Sequence, residues 1–153
     1  MTERYETFTV LINRISRNIR KIKNQEMAEY NLRCAHVSCL YFIYSLGGAT
    51  ATDLCERCEE DKATVSRALD YLEKNGYITC ESKSAKRYKS LLVLTEQGRQ
   101  AAQKIAEKID TVLDAVGDCL AEEERIAFYR SLSIISNRLD ALSKNGEKEE
   151  NVL

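Results

Sequence analysis

Proline is absent from this chain, and glycine occurs only six times in 153 residues. Without those breakers, long uninterrupted helices are expected. There is one histidine, no glycine-rich phosphate loop and no HExxH pattern. Enzyme chemistry is thereby left without its usual parts, and the chain is not expected to be an enzyme. No apolar run approaches the roughly 20 residues needed to cross a bilayer, and the N-terminal MTERYETF lacks the pattern of an export signal. The expectation is therefore a cytoplasmic protein with no membrane partner, whose six cysteines are reduced thiols rather than a disulfide framework. A formal net charge of only −1 removes any global electrostatic argument for nucleic acid, so such an argument must be local. What is present is a soluble balance of 44% hydrophobic and 31% charged residues, enough for one domain with a helical extension.

Charge is uneven along the chain. Arg4, Arg14, Arg17, Arg20, Lys21 and Lys23 crowd the N-terminal segment, and SKSAKRYKS (82–90) holds four cations and no acid. Acids gather near Glu56, Glu59, Glu60 and Asp61, in Glu122 to Glu124, and in the tail EKEE. Apolar periodicity organises the rest. Tyr5, Phe8, Ile12, Ile15, Ile19 and Ile22 recur three and four apart, a seam that needs other long helices or a second copy of the chain to cover it. Cys34 to Leu46 is apolar almost all round, predicts a buried helix, and is stopped by Gly47 and Gly48. A short helix follows through Asp53–Cys58, with Thr50 or Thr52 as N-cap. Ile78–Glu81 and Ser90–Leu94 predict two short strands joined by the basic turn. Thr95 opens a helix carrying Ile105, Ile109, Val112, Leu113 and Val116. Ala121 opens the last helix, which ends near Leu142 and leaves a polar tail.

The segment EDKATVSRALDYLEKNGYI (60–78) predicts a helix from Lys62 to Lys74, ended by Asn75-Gly76. At about 100° per residue, Val65, Ala68, Leu69 and Leu72 form its apolar stripe. Ala63, Ser66, Arg67 and Asp70 point the opposite way, a short-armed face around one arginine. A helix entering a DNA major groove about 12 Å wide needs such a face, with an arginine to reach guanine or phosphate. Lys62 and Thr64 lie at its N-terminus, where the helix dipole and free N–H groups attract phosphate. Helix, helix, short helix, helix and hairpin is a winged helix-turn-helix order. In that arrangement Lys83, Lys86, Arg87 and Lys89 on the hairpin reach the DNA backbone or the minor groove. The fold class expected is mostly α with a small β wing.

The motifs DLCERC, EDKATVSRALDYLEKNGYI and LLVLTEQG resemble the MarR family of bacterial transcription regulators, over nearly the whole chain to about Leu142. The resemblance implies a homodimer whose first and last two helices intertwine, which divides the chain into a helical dimerisation region (1–30 and 95–145), a winged helix-turn-helix domain (31–94) and a flexible tail (146–153). It implies binding to a pseudo-palindromic double-stranded DNA operator as a repressor. By position, Thr64, Ser66 and Arg67 correspond to major-groove contacts and Arg87 to the wing arginine in the minor groove. One departure is visible: Lys86 stands where many members carry an aspartate.

Four of the cysteines invite other readings. Cys55 and Cys58 form a CxxC, compatible with a redox pair or half a zinc site; core thiols are the expectation, because no second CxxC exists. No metal or cofactor is therefore expected. Cys34 and Cys39 lie on the second helix, which in the family borders a cleft that takes small aromatic effectors or a peroxide-sensing cysteine. Tyr30, His36 and Tyr41, with those two thiols, are the candidate effector-pocket or redox residues. Relief by a small-molecule effector is the leading expectation; a thiol-based redox-sensing regulator, or a small thiol oxidoreductase using Cys55 and Cys58, are the alternatives.

Overall fold

The computed structural model describes residues 6–58, 60–81 and 89–150, with side chains over 8–144. A π-helical turn, Glu6–Val10, leads into α1, Leu11–Glu26. A 3-10 turn, Ala28–Tyr30, closes on Asn31 in the left-handed region (φ 55°), a conformation asparagine tolerates better than most residues. There follow α2 (Cys34–Leu46), α3 (Ala51–Cys58), α4 (Lys62–Lys74), β1 (Ile78–Cys80), β2 (Leu92–Leu94), α5 (Glu96–Gly117) and α6 (Glu122–Glu150). The fold is mostly α with a small antiparallel wing, as expected. Tyr5, Glu59, the wing cations Lys83, Lys86 and Arg87, and residues 151–153 lie outside the described residues.

Local chemistry sets the helix boundaries. At the start of α3, the Thr50 N–H donates to Asp53 Oδ2 (2.8 Å) and the Asp53 N–H donates to Thr50 Oγ1 (3.2 Å), a reciprocal cap. The first of the two candidate caps is thus the one used. At the start of α4, Asp61 Oδ1 accepts the Thr64 N–H (2.9 Å). Gly76 follows α4 at φ 75°, and its carbonyl accepts the Thr95 hydroxyl (2.6 Å). That same hydroxyl oxygen accepts the Gly98 N–H (3.1 Å) and caps α5. One threonine therefore ties the end of the fourth helix to the beginning of the fifth.

β1 pairs with β2 in the register Ile78↔Leu94, Thr79↔Val93 and Cys80↔Leu92. Both strands are shorter than the sequence suggests, although the Glu81 N–H still donates to the Leu91 carbonyl (3.0 Å). Ala49 adds an isolated bridge to Leu92, anchoring the wing to the end of α2. A single residue of strand leaves no periodicity to read. The last helix continues to Glu150, so the polar stretch from Ser143 is helical where a frayed tail was expected. Its glutamates and lysines have good helix propensity even without an apolar stripe.

Two compact units divide the chain, Met1–Ile109 and Asp110–Leu153. In the first, Met27, Leu32, Val37, Leu40, Ile43, Leu54, Val65, Leu69, Leu72, Ile78, Leu92, Ala102 and Ile105 share one buried cluster. Because Met27 and the first turns of α5 belong to that cluster, the compact unit includes residues on both sides of the 31–94 boundary expected from sequence. Two lysines of α5 add polar ties: Lys108 Nζ donates to the Glu26 carbonyl (2.9 Å), and Lys104 Nζ to the Tyr30 hydroxyl (2.9 Å). In the second unit, the Ala121 N–H donates to Glu124 Oε2 (3.0 Å) and caps α6. Ile126, Phe128, Tyr129, Leu132, Ile134, Leu139 and Leu142 of that helix are all exposed. So are Phe8, Ile12, Ile15, Ile19 and Ile22 on the N-terminal helical segment.

Candidate nucleic-acid interface

On α4 the two faces separate as the periodicity requires. Val65, Ala68, Leu69 and Leu72 are buried, while Lys62, Ala63, Ser66, Arg67 and Asp70 are exposed. Burying four apolar side chains on one side holds the opposite side outward as a rigid platform. Arg67 does not hang free on it. Its guanidinium donates to Thr64 Oγ1 (3.1 Å), and the Thr64 hydroxyl donates to Asp61 Oδ2 (2.5 Å). The hydrogen bond from Thr64, then the backbone N–H groups at the helix start and the Arg67 charge, hold the Asp61 carboxyl below its ordinary range. An aspartate at the N-cap is therefore charged at neutral pH and orients the one arginine of the exposed face. Sequence reasoning placed Thr64 and Arg67 on the helix but missed Asp61, whose signal is an acid three residues ahead of a threonine.

Lys89 is exposed beside the wing; the other wing cations fall outside the described residues. Of the five effector-pocket candidates, only His36 lines a large cleft. That cleft, about 1000 Å³, is bounded by Asn24, Ala28, Asn31, Leu32, Arg33, Ala35, His36, Thr64, Arg67, Ala68 and Tyr71. Cys34 and Tyr30 do not line it: the Cys34 N–H donates to Asn24 Oδ1 (2.8 Å), and the Tyr30 ring and hydroxyl engage Lys104. Tyr41 packs edge-on against Phe42, with 5.5 Å between ring centres. Cys39 is fully buried in the core. Sequence spacing suggested Cys34 with Cys39 and Cys55 with Cys58. Side-chain contact instead joins Cys39 of α2 to Cys58 at the end of α3, by a thiol–thiol hydrogen bond. Among the described residues, no three His, Cys, Asp or Glu side chains converge as a metal would require, and no helix is long and apolar enough to cross a membrane.

His36 links the cleft to helix capping. Its ring stacks on Tyr71 at 4.3 Å and 7°, and its Nδ1 accepts the Arg33 N–H (3.0 Å). Nδ1 can accept only while it is unprotonated. Burial first, then the Arg33 charge, lowers the imidazole pKa from 6.5. A depressed folded-state pKa means the contribution to stability is whole above about 6.5 and is lost as pH falls through the folded value. The urea midpoint should therefore drop between pH 7 and 5, and His36→Gln should flatten that slope. An unchanged slope in the variant would show that other groups cause it.

A three-helix unit with an outward-facing fourth-helix platform and an adjoining two-stranded wing defines a winged helix-turn-helix protein. Residues 30–87 match the sequence profile of the MarR family, and the chain belongs to that family of transcriptional regulators. It is 26% identical over 117 residues to the uncharacterized HTH-type transcriptional regulator YwoH of Bacillus subtilis, an overlap covering 76% of this chain and 85% of that protein. Its fold is similar to NMB1585, a MarR family regulator from Neisseria meningitidis, with a TM-score of 0.78 at 22% identity over 93% of this chain and 98% of that one. A Listeria monocytogenes protein assigned provisionally to the same family and solved with a 26mer DNA is 26% identical, with a TM-score of 0.76 over 84% of this chain and 85% of that one.

Proposed function

We propose that this chain is a homodimeric repressor that binds a pseudo-palindromic DNA operator through α4, with the wing cations on the backbone or in the adjacent minor groove. The single observation that carries the reading is the α4 platform: short side chains around Arg67, which is held by Thr64 and the Asp61 cap. Ser66 and Arg67 face base edges, Lys62 and Thr64 sit near phosphate at the helix start, and Lys89 adds backbone charge beside Lys83, Lys86 and Arg87. Support for DNA as the partner also comes from the Listeria relative solved with DNA. Support for the homodimer comes from the exposed apolar residues of α1 and α6, which are more numerous than a monomer usually leaves in water. Two-fold symmetry then requires half-site centres about 10 bp apart, or a small multiple.

Relief by a small aromatic effector is the regulatory part of the proposal. The cleft beside His36 and Tyr71 offers flat faces for stacking, and it is also lined by Thr64 and Arg67. A ligand there would engage the same arginine that DNA uses. Cytoplasmic location follows from DNA as the partner.

Titration with duplex DNA across a salt series tests the reading. The logarithm of the binding constant should fall linearly with the logarithm of salt concentration, by about 0.9 per phosphate contact. Binding that ignores salt, or no binding at all, would contradict it and favour a winged helix used only for protein contacts.

A further inference from the structure

We propose that Cys39 and Cys58 form a dithiol site that an organic or inorganic hydroperoxide converts to an intramolecular disulfide, with Cys58 attacked first and Cys39 resolving. The CxxC spacing does not point to this pair, because Cys55 and Cys58 share a helix whereas Cys39 belongs to another. Packing brings the pair together: Cys39 lies in the buried core, and Cys58, at the last turn of α3, packs against that core while keeping part of its surface in solvent.

The surroundings give the two thiols different characters. Cys39 donates its hydrogen to the Cys58 sulfur, and burial keeps the Cys39 proton in place, so its pKa is raised. That hydrogen bond, helped by the charge of Lys23 and opposed by burial and Glu60, draws the Cys58 thiol downward. Lys23 is fixed there by donating to Ser38 Oγ (3.2 Å), beside Cys39 on α2. Glu60 is partly neutralised by Arg20 at 3.2 Å. Cys55, by contrast, is pushed up by burial and by its neighbour. A thiolate is the nucleophile in such reactions, so Cys58 is the reactive member and Cys39 the shielded one.

The chemistry balances in two steps. The Cys58 thiolate attacks a peroxide oxygen; an S–O bond forms, the O–O bond breaks, and the leaving alkoxide takes a proton from solvent. The product at Cys58 is a sulfenic acid. Cys39 then attacks the Cys58 sulfur; an S–S bond forms, the S–O bond breaks, and the departing hydroxide leaves as water with the Cys39 proton. The two thiols lose two electrons together, and the hydroperoxide becomes an alcohol and water. The bond would join α2 to the end of α3, a few residues before the Asp61 cap of α4. Any consequence for DNA rests on the function proposed above, whereas the thiol chemistry does not.

The test uses the reduced full chain, treated with stoichiometric tert-butyl hydroperoxide, blocked with N-ethylmaleimide and mapped by peptide mass spectrometry. Trypsin cleaves after Arg57 and so separates Cys58 from Cys55. The expected result is loss of both the Cys39 and Cys58 thiols, with one disulfide joining them and Cys55 still free. Cys39→Ser should stop the reaction at a Cys58 sulfenic acid that dimedone traps, and Cys58→Ser should leave Cys39 unoxidised. Should Cys39→Ser fail to fold, the wild-type map and Cys58→Ser decide the matter. A disulfide between other cysteines, a Cys58 that stays reduced while others oxidise, or oxidation of Cys39 without Cys58 would overturn the proposal.

Discussion

Gly98→Ala should lose about 3 kcal/mol or more of folding stability, beyond the usual cost of an added methyl in a packed site. A Cβ at Gly98 would lie 1.8 Å from the Tyr77 carbonyl oxygen and 2.8 Å from its carbonyl carbon. Those atoms cannot step aside. The Tyr77 N–H is bonded to the Leu72 carbonyl (2.8 Å), and its own carbonyl accepts the Thr95 N–H (3.1 Å). Relief requires α5 to lift from the start of β1, which withdraws the buried Ala101, Ala102 and Ile105 from the core. Gly117→Ala is the matched control, because its Cβ would meet only the end of the Arg125 side chain, which can move. Urea unfolding of both variants decides it. A Gly98→Ala midpoint close to wild type would mean that the helix does not approach Tyr77 this closely.

Ile15→Asp should abolish the dimer. In the single chain Ile15 is 52% exposed, so a charge there would be nearly harmless to a monomer. In the proposed homodimer the same position lies in an apolar interface, where an unpaired carboxylate costs several kcal/mol. Leu132→Asp, on a different unit, should act the same way for the same reason. Sedimentation at micromolar concentration is the readout: wild type as a dimer, the variants as monomer, unfolded chain or aggregate. A wild-type chain that sediments as a folded monomer would overturn the homodimer.

Both ends of α2 and of α4 fall where the sequence indicates, and the reason is that their signals are local. Gly47 and Asn75-Gly76 stop the helices, and the apolar stripe of α4 is a property of one helix alone. The exposure of Ala63, Ser66, Arg67 and Asp70 follows from that stripe without knowledge of any neighbour. What escaped was tertiary. Ala49 joins the wing by a single bridge, and Cys39 meets Cys58 rather than the cysteine five residues before it, because α2 and α3 are packed together by the common core. His36, chosen for chemistry, does line the cleft; Tyr30 and Tyr41, chosen on the same grounds, are engaged elsewhere. Spacing along one helix cannot say which ring faces a space formed by three elements.

The central claim is that α4 reads DNA through Arg67. Its most direct test compares wild type with Arg67→Ala on a selected operator and on single-base variants of it, after circular dichroism shows the variant folded. The account predicts a loss of roughly 1–3 kcal/mol and relaxed preference at one position per half-site. Lys89→Ala, at an exposed position beside the wing, should instead weaken all sequences alike and reduce the salt slope by about one unit. A folded Arg67→Ala that binds with wild-type affinity and wild-type base preference would contradict the claim.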